Sequence, residues 1–245
     1  MAVDFLLLQR YPTADARFRH YSWRRPAFTF GYSQKLAFVR EQLPVGESFD
    51  LCRRPTGGGI VDHRDDWTYA LVIPRGHRLE ELRATESYRL VHEALACALR
   101  EQGVAAKTKP CAAAEGEVCD ESGNPSSRGR SPLRPECSGE RQRDDLQPGV
   151  CFQRAEIYDV VSEATGAKIA GAAQKRNKHG LLFQGSIWRP AAGAIDWDEF
   201  ETAFVRELGA VLRLGPAETG WPELNEDELE GLTEQYSAEE WLSFR

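Results

Sequence analysis

No stretch of this 245-residue chain is apolar for the length that a membrane-spanning helix needs, which argues against an integral membrane protein of that kind. The start, Met1-Ala2-Val3-Asp4-Phe5-Leu6-Leu7-Leu8, lacks the basic region and small-residue cleavage site of a secretory leader, so a cytoplasmic location is expected. An excess of positive charge is also missing: the net charge is -7, which removes the general electrostatic case for a nucleic-acid partner. The six cysteines show no CxxC spacing and no paired histidine, so no metal site is expected and the thiols are read as reduced.

What is present has the apolar and charged fractions of a globular α/β protein, read as one domain over residues 1–245. Residues 111–148 break this pattern. They are rich in Pro, Gly, Ser, Arg and Glu and poor in β-branched and aromatic residues, so they are expected to form a disordered insertion, its place before Cys151 leaving open a role as a lid.

Residues 156–188 carry the strongest local signal. Residues 156–161 alternate as a strand, Thr165-Gly166 marks a turn, residues 168–174 read as a second strand and residues 181–188 as a third. On the middle strand a period of two places Lys168, Ala170, Ala172 and Gln174 on one face, with Ile169, Gly171 and Ala173 on the other. Strands seldom use so many small residues, so either a ligand or a closely packed helix must fill the space above them. An amine and an amide on the same face favour a narrow ligand site with a charged end.

A second signal is Arg53-Arg54-Pro55-Thr56-Gly57-Gly58-Gly59-Ile60-Val61-Asp62-His63. Three glycines before a β-branched pair form a loop whose backbone a ligand can approach closely, although the spacing fits neither GxGxxG nor GxxxxGK[ST]. The flanking Arg53, Arg54 and His63 suit a phosphate or carboxylate. An amphipathic helix is expected from Thr85, as cap, to Gln102, and acidic helices over residues 196–213, after Asn225 and after Ser237.

These pieces together resemble the biotin/lipoate ligase superfamily on its lipoyl side, which includes lipoate-protein ligases and octanoyltransferases. Met1-Ala2-Val3-Asp4 is similar to that family's "MAxDE" opening, with Phe5 in place of the acid. The arginine-glycine loop is similar to "RRxSGGGxVxH", Lys168 to Arg176 to "KxxGxAQxR", and the stretch from Gln235-Tyr236 to Glu240-Trp241 to the close of the catalytic domain. The resemblance implies an α+β fold of the class II aminoacyl-tRNA synthetase-like kind, a central mixed sheet flanked by helices with the acyl chain in a tunnel over the small-residue strand. It implies that Lys168 holds the acyl carbonyl end. Candidate substrate-binding residues are Arg53, Arg54, Thr56, Gly57, Gly58, Gly59 and His63 from the loop and Ala170, Gly171, Ala172 and Gln174 from the strand.

Val150-Cys151-Phe152 is similar to the "CF" of octanoyltransferases that work through a cysteine acyl-enzyme, which makes Cys151 the candidate nucleophile, activated by the Lys168 ammonium. The alternative for Cys151 is a buried structural thiol. The reaction implied moves octanoyl from acyl carrier protein to a lipoyl-carrier protein, such as the glycine cleavage H protein or a dehydrogenase E2 lipoyl domain, with no cofactor. Backbone amides near Gly171 are candidate oxyanion donors. Three other readings share these residues: a lipoate-protein ligase using ATP with Mg, an amidotransferase between carrier proteins, and a non-catalytic binding protein. Arg53, Arg54, Lys175, Arg176 and Lys178 are candidates for a carrier-docking patch.

Overall fold

The structure is a computed structural model and describes residues 1–110 and 154–244. The expected insertion at 111–148 and Cys151 lie outside the described residues.

In chain order the elements are α1 (Ala2–Gln9), β1 (Arg17–Tyr21), β2 (Ala27–Phe30), α2 (Leu36–Gln42), β3 (Asp50–Arg53), β4 (Ile60–Asp62), β5 (Asp66–Pro74), α3 (Arg78–Glu81), α4 (Ala84–Glu101) and β6 (Ala106–Thr108). After residue 154 come β7 (Val160–Ser162), β8 (Lys168–Asn177), β9 (Gly180–Trp188), α5 (Arg189–Ala192), α6 (Trp197–Leu212), α7 (Glu226–Ser237) and α8 (Glu239–Leu242). Two sheets result, a large one ordered β1-β5-β9-β8-β7-β6 and a small one ordered β3-β2-β4.

This is the expected α+β architecture, with its mixed character divided between the sheets. Every pairing in the large sheet is antiparallel. The parallel pair, β2 with β3, lies in the small sheet beside an antiparallel β2–β4 pair.

Alternation along β5 explains how the layers assemble. Trp67, Tyr69, Leu71 and Ile73 point to one face, where they meet Val91, Leu95 and Leu99 of α4 and Phe200, Phe204 and Leu208 of α6 in the main core. Each such side chain removed from water contributes roughly 1.5–3 kcal/mol. Ala70 and Val72 point the other way, onto Leu7 and Leu8 of α1. A third cluster joins the small sheet, through Phe28, Phe30 and Ile60, to α2 and to Leu242 of α8.

Several local expectations differ from the structure for identifiable reasons. The strand expected over 156–161 is confined to β7, because residues 156–159 form a turn with Tyr158 at a φ of 66° and the Asp159 amide donating to the Glu156 carbonyl. Helix α4 is entered through Arg83, and Thr85 lies inside its first turn. Ser237 closes α7, and Ala238 is the N-cap of α8. Asn225 does cap α7 through its side chain, and Asp196, expected as the first residue of its helix, is the side-chain N-cap of α6.

Candidate active site

A cleft lies between the two sheets, on the face of the large sheet that turns away from α4 and α6. Its floor crosses the strands in succession: Gly171 and Ala173 on β8, Gln184 and Ser186 on β9, Thr68 on β5 and Tyr21 on β1. Three inter-strand steps of about 4.8 Å make this path roughly 14 Å long. Arg54, Gly58, Val61 and His63 form the opposite wall, with Trp23 and Thr29. The space is about 500 Å³, part of it open to solvent, and its lining is mostly apolar. A mostly apolar lining with a few placed polar groups is the character of a small-ligand site.

The parity of β8 decides which residues face this cleft. Ala170 is fully buried in the main core, and Gln174 bonds Ser87 and the Ala84 carbonyl on α4. These two candidates therefore belong to the helix side. The opposite parity, Gly171 and Ala173, floors the cleft, together with the edge of Ala172. The close-packed helix and the ligand cleft thus occupy opposite faces of the same strand.

Lys168 escapes the parity of Ala170 because β8 contains an irregularity. Val160 pairs with Ala170, but its neighbour Val161 pairs with Lys168, so one extra residue is accommodated on β8. Such a bulge re-aims the side chain beside it. The Lys168 amine consequently lies over Gly171: a β-carbon at that glycine would stand 2.6 Å from Nζ. Lys168 is 6% exposed and its amine is 2.7 Å from Oδ2 of Asp159, itself 1% exposed.

Asp159 is held from three directions. Besides the Lys168 amine, it accepts from the Glu156 amide at 2.7 Å and from the Tyr88 hydroxyl at 2.5 Å. Burial first, and then the charge of Asp159, push the Tyr88 hydroxyl well above its usual range, so it remains a donor. The same hydroxyl accepts from the Ala172 amide at 3.0 Å. That amide, expected as an oxyanion donor, is therefore committed within the protein. His92 packs edge-on against Tyr88 and bonds the Tyr158 carbonyl through Nδ1 at 2.8 Å; burial lowers its pKa to about 4 and keeps it neutral.

The glycine loop is shaped by the two arginines before it. Arg54 is buried and donates to the carbonyls of Gly57 and Gly59, both at 2.9 Å, and to the Thr29 hydroxyl at 2.7 Å. Gly58, between those carbonyls, has a φ of +92°, open to glycine and strained for other residues. Arg53 is fully buried and faces away from the cleft, donating to the carbonyls of Tyr32, Gln34 and Leu242. Neither arginine forms a surface patch, because backbone carbonyls take their donors inside the fold.

His63 joins the cleft wall to a buried polar chain. Its Nε2 is 2.7 Å from the Thr29 hydroxyl and its Nδ1 is 2.7 Å from Asp66, which also accepts from Thr68 and Ser186. The Trp23 ring stacks on the imidazole at 4.4 Å and its indole donates to Thr68. Thr56 reaches the site through Gln184, which in turn donates to Asp4. The hydroxyls of Thr29, Thr68 and Ser186 are thus engaged within the protein, which leaves an apolar path suited to an alkyl chain.

Sequence reasoning missed Asp159, Tyr88, Thr29, Asp66, Gln184, Ser186 and Trp23. The one available signal was Asp159, a carboxylate just before a strand whose partner strand opens on a lysine. No group of three or more potential metal-ligating side chains occurs among the described residues.

The lipoyl protein ligase A/B catalytic domain family model matches residues 1–190. The octanoyltransferase LipM of Staphylococcus aureus is 31% identical over 209 residues, covering 84% of this chain and 65% of that protein. LipM of Kyrpidia tusciae is 29% identical over 190 residues, covering 76% of this chain and 60% of its own length. The chain therefore spans somewhat less than two thirds of the curated relatives it matches. Among solved structures, a bi-partite lipoate protein ligase from Thermoplasma acidophilum shares the fold with a TM-score of 0.64 at 19% identity, covering 100% of this chain and 91% of that one. Lipoate-protein ligase A bound with ATP gives 0.64 at 20% identity, with 99% and 92% covered.

Proposed function

The chain belongs to the lipoyl protein ligase A/B catalytic domain family, and from that premise we propose that it is an octanoyltransferase of lipoate assembly. It takes an octanoyl group from acyl carrier protein onto Cys151 and passes it to a lysine of a lipoyl-carrier domain. The observation that carries this reading is the Lys168 ammonium at the β8 end of a mostly apolar cleft floored by Gly171 and Ala173. An extended eight-carbon chain, seven C–C bonds of about 1.5 Å each in a zigzag, is roughly 9 Å long, shorter than the floor's roughly 14 Å. The likeness to the LipM relatives adds support.

In the first half-reaction the Cys151 thiolate attacks the donor thioester carbonyl. A new C–S bond forms, the donor's C–S bond breaks, and the carrier thiolate leaves. In the second, the neutral amine of the acceptor lysine attacks the Cys151 thioester, a C–N bond forms, and the amine proton ends on the departing Cys151 sulfur. In both steps the Lys168 ammonium draws charge from the carbonyl oxygen. One thioester exchanges for another and then for a more stable amide, so ATP is not needed. Lys175 and Lys178 are exposed and supply the positive surface for an acidic carrier, while Arg176 pairs with Glu80.

Intact mass after incubation with octanoyl-acyl carrier protein, without ATP, tests this. The expected result is one hydroxylamine-labile octanoyl adduct on the wild type, retained by no Cys151→Ala protein and reduced in Lys168→Ala. Modification of a carrier domain only with free octanoate or lipoate, ATP and Mg, by Cys151→Ala as well, replaces this reading with a ligase. Transfer from an octanoylated carrier domain but never from acyl carrier protein replaces it with an amidotransferase.

A further inference from the structure

We propose that Asp159 is the positioning residue of the site: with Tyr88 as its brace, it fixes the Lys168 amine over Gly171 and keeps that amine in its charged form. The inference rests on the acyl-transfer reading and adds to it a division of labour among residues on three separate elements.

Asp159 is buried, and a buried carboxylate is tolerated when its lone pairs are filled by hydrogen bonds and a counter-charge. Here the Glu156 amide and the Tyr88 hydroxyl supply the bonds and Lys168 supplies the charge. The hydroxyl of Tyr88 is itself located from the other side by the Ala172 amide, on β8 just beyond the reach of β7. A bent segment ending in Asp159, a helix carrying Tyr88, and the bulged strand carrying Lys168 therefore converge on one carboxylate.

Among the described residues, the ionisable groups facing this point include Asp159 and Lys168 themselves, Tyr88 and His92 from α4, and Tyr69 from β5. Burial, the first cause in each case, raises both tyrosines and lowers His92, so around neutral pH those three are uncharged. The Asp159 carboxylate pairs with the amine at 2.7 Å, and a negative charge at that distance stabilises the ammonium directly. Such an amine acts as a fixed cation toward a carbonyl oxygen and not as a nucleophile or a base. The arrangement also explains why position 171 is glycine: any β-carbon there would press on Nζ, Cε and the Asp159 oxygen at 2.6 Å, 2.7 Å and 2.9 Å.

The experiment compares wild type with Asp159→Asn, Asp159→Glu and Tyr88→Phe by two readouts. The first is the pH dependence of kcat and KM for octanoyl transfer to a carrier domain. The second, independent of turnover, is the titration of Lys168 followed by 13Cε-lysine NMR on the full-length protein. Asp159→Asn is expected to lower kcat by about tenfold or more while KM for the donor changes by less than about twofold. Its basic limb should move to lower pH, together with the NMR titration of Lys168. Asp159→Glu should recover part of both effects, and Tyr88→Phe should show a smaller loss of the same kind. An Asp159→Asn protein that folds and keeps the wild-type Lys168 titration and pH profile overturns the inference. If no variant, nor the wild type, transfers octanoyl, the acyl-transfer reading fails, and the NMR titration alone still decides whether Asp159 governs the charge of Lys168.

Discussion

Adding one methyl group to each of two glycines on neighbouring strands should separate the fold from the chemistry. At Gly171 the new β-carbon would stand 2.6 Å from the Lys168 nitrogen and 2.9 Å from an Asp159 oxygen. Ordinary contact needs about 3.5 Å, so the amine must retreat by roughly 1 Å and the Asp159 oxygen by about half as much. The tip of a lysine can do this at a cost near 1 kcal/mol, but an ångström of misplacement at a reacting centre lowers a rate by as much as about 100-fold. At Gly185 the β-carbon would instead overlap the ring of Tyr69, which is fully buried and packed among Phe18, Trp67 and Phe204. No flexible group is there to give way. Overpacking of this kind costs about 3 kcal/mol, which for a chain of this size lowers Tm by about 6–12 °C. Gly171→Ala should therefore melt within about 4 °C of wild type yet lose about ten- to 100-fold in octanoyl transfer, while Gly185→Ala should lose stability first. Calorimetry beside a transfer assay measures both. A Gly171→Ala enzyme with wild-type kcat would refute the placement of Lys168 over that glycine.

Three further outcomes follow from buried groups near the site. His92 has its folded pKa lowered to about 4 by burial against an ordinary 6.5. The unfolded chain takes up the proton first, so stability is lost as pH falls from about 6.5 to about 4, by up to roughly 3 kcal/mol; urea titrations across that window should show the slope in wild type and its loss in His92→Phe. Burial opposes ionisation of Asp4, but the terminal ammonium, Arg19 and Gln184 outweigh it and hold the carboxyl below the usual 3.8, a contribution present above that value and lost as pH falls through the folded pKa. Asp4→Asn should thus be less stable than wild type at pH 7 and should lose less of its stability on acidification below pH 3.8, by the same urea method. Trp23 lines the cleft wall just past β1, so Trp23→Ala should raise the use of dodecanoyl relative to octanoyl donors by about tenfold in direct competition; an unchanged ratio places the end of the acyl chain elsewhere.

The sequence was most informative where a residue's neighbours along the chain decide its environment. The period of α4 and α6, the turn at Gly166 and the cap Asn225 are local, and all were legible. So were the two motifs that carry the family resemblance, because their glycines and Lys168 are spaced by backbone requirements. Parity on β8 was not legible, since the extra residue that turns Lys168 toward the cleft exists only relative to β7. Ala170 and Gln174 were placed on the wrong side for that reason. Arg53 and Arg54 read as exposed cations because charge alone cannot reveal that carbonyls brought together by folding will surround them. Asp159 looked like one strand residue among several, and its role depends on Tyr88, 71 positions earlier in the chain. The nucleophile assignment stands on sequence resemblance alone, Cys151 lying outside the described residues.

Arg53 has a consequence for where this protein can be divided. Its guanidinium donates to the Leu242 carbonyl, and the Trp241 indole donates to its own carbonyl in return, so the strand leading into the glycine loop is fastened by the last helix. A fragment ending at residue 190, where the matched domain stops, would keep the glycine loop and the Lys168 strand yet take the Leu242 carbonyl away from that buried guanidinium. It would also open the main core by removing Phe200 and Phe204. The segment that the family model matches is therefore shorter than the unit that packs together, and the C-terminal fifth works as the keystone of an arch whose stones were all cut earlier in the chain.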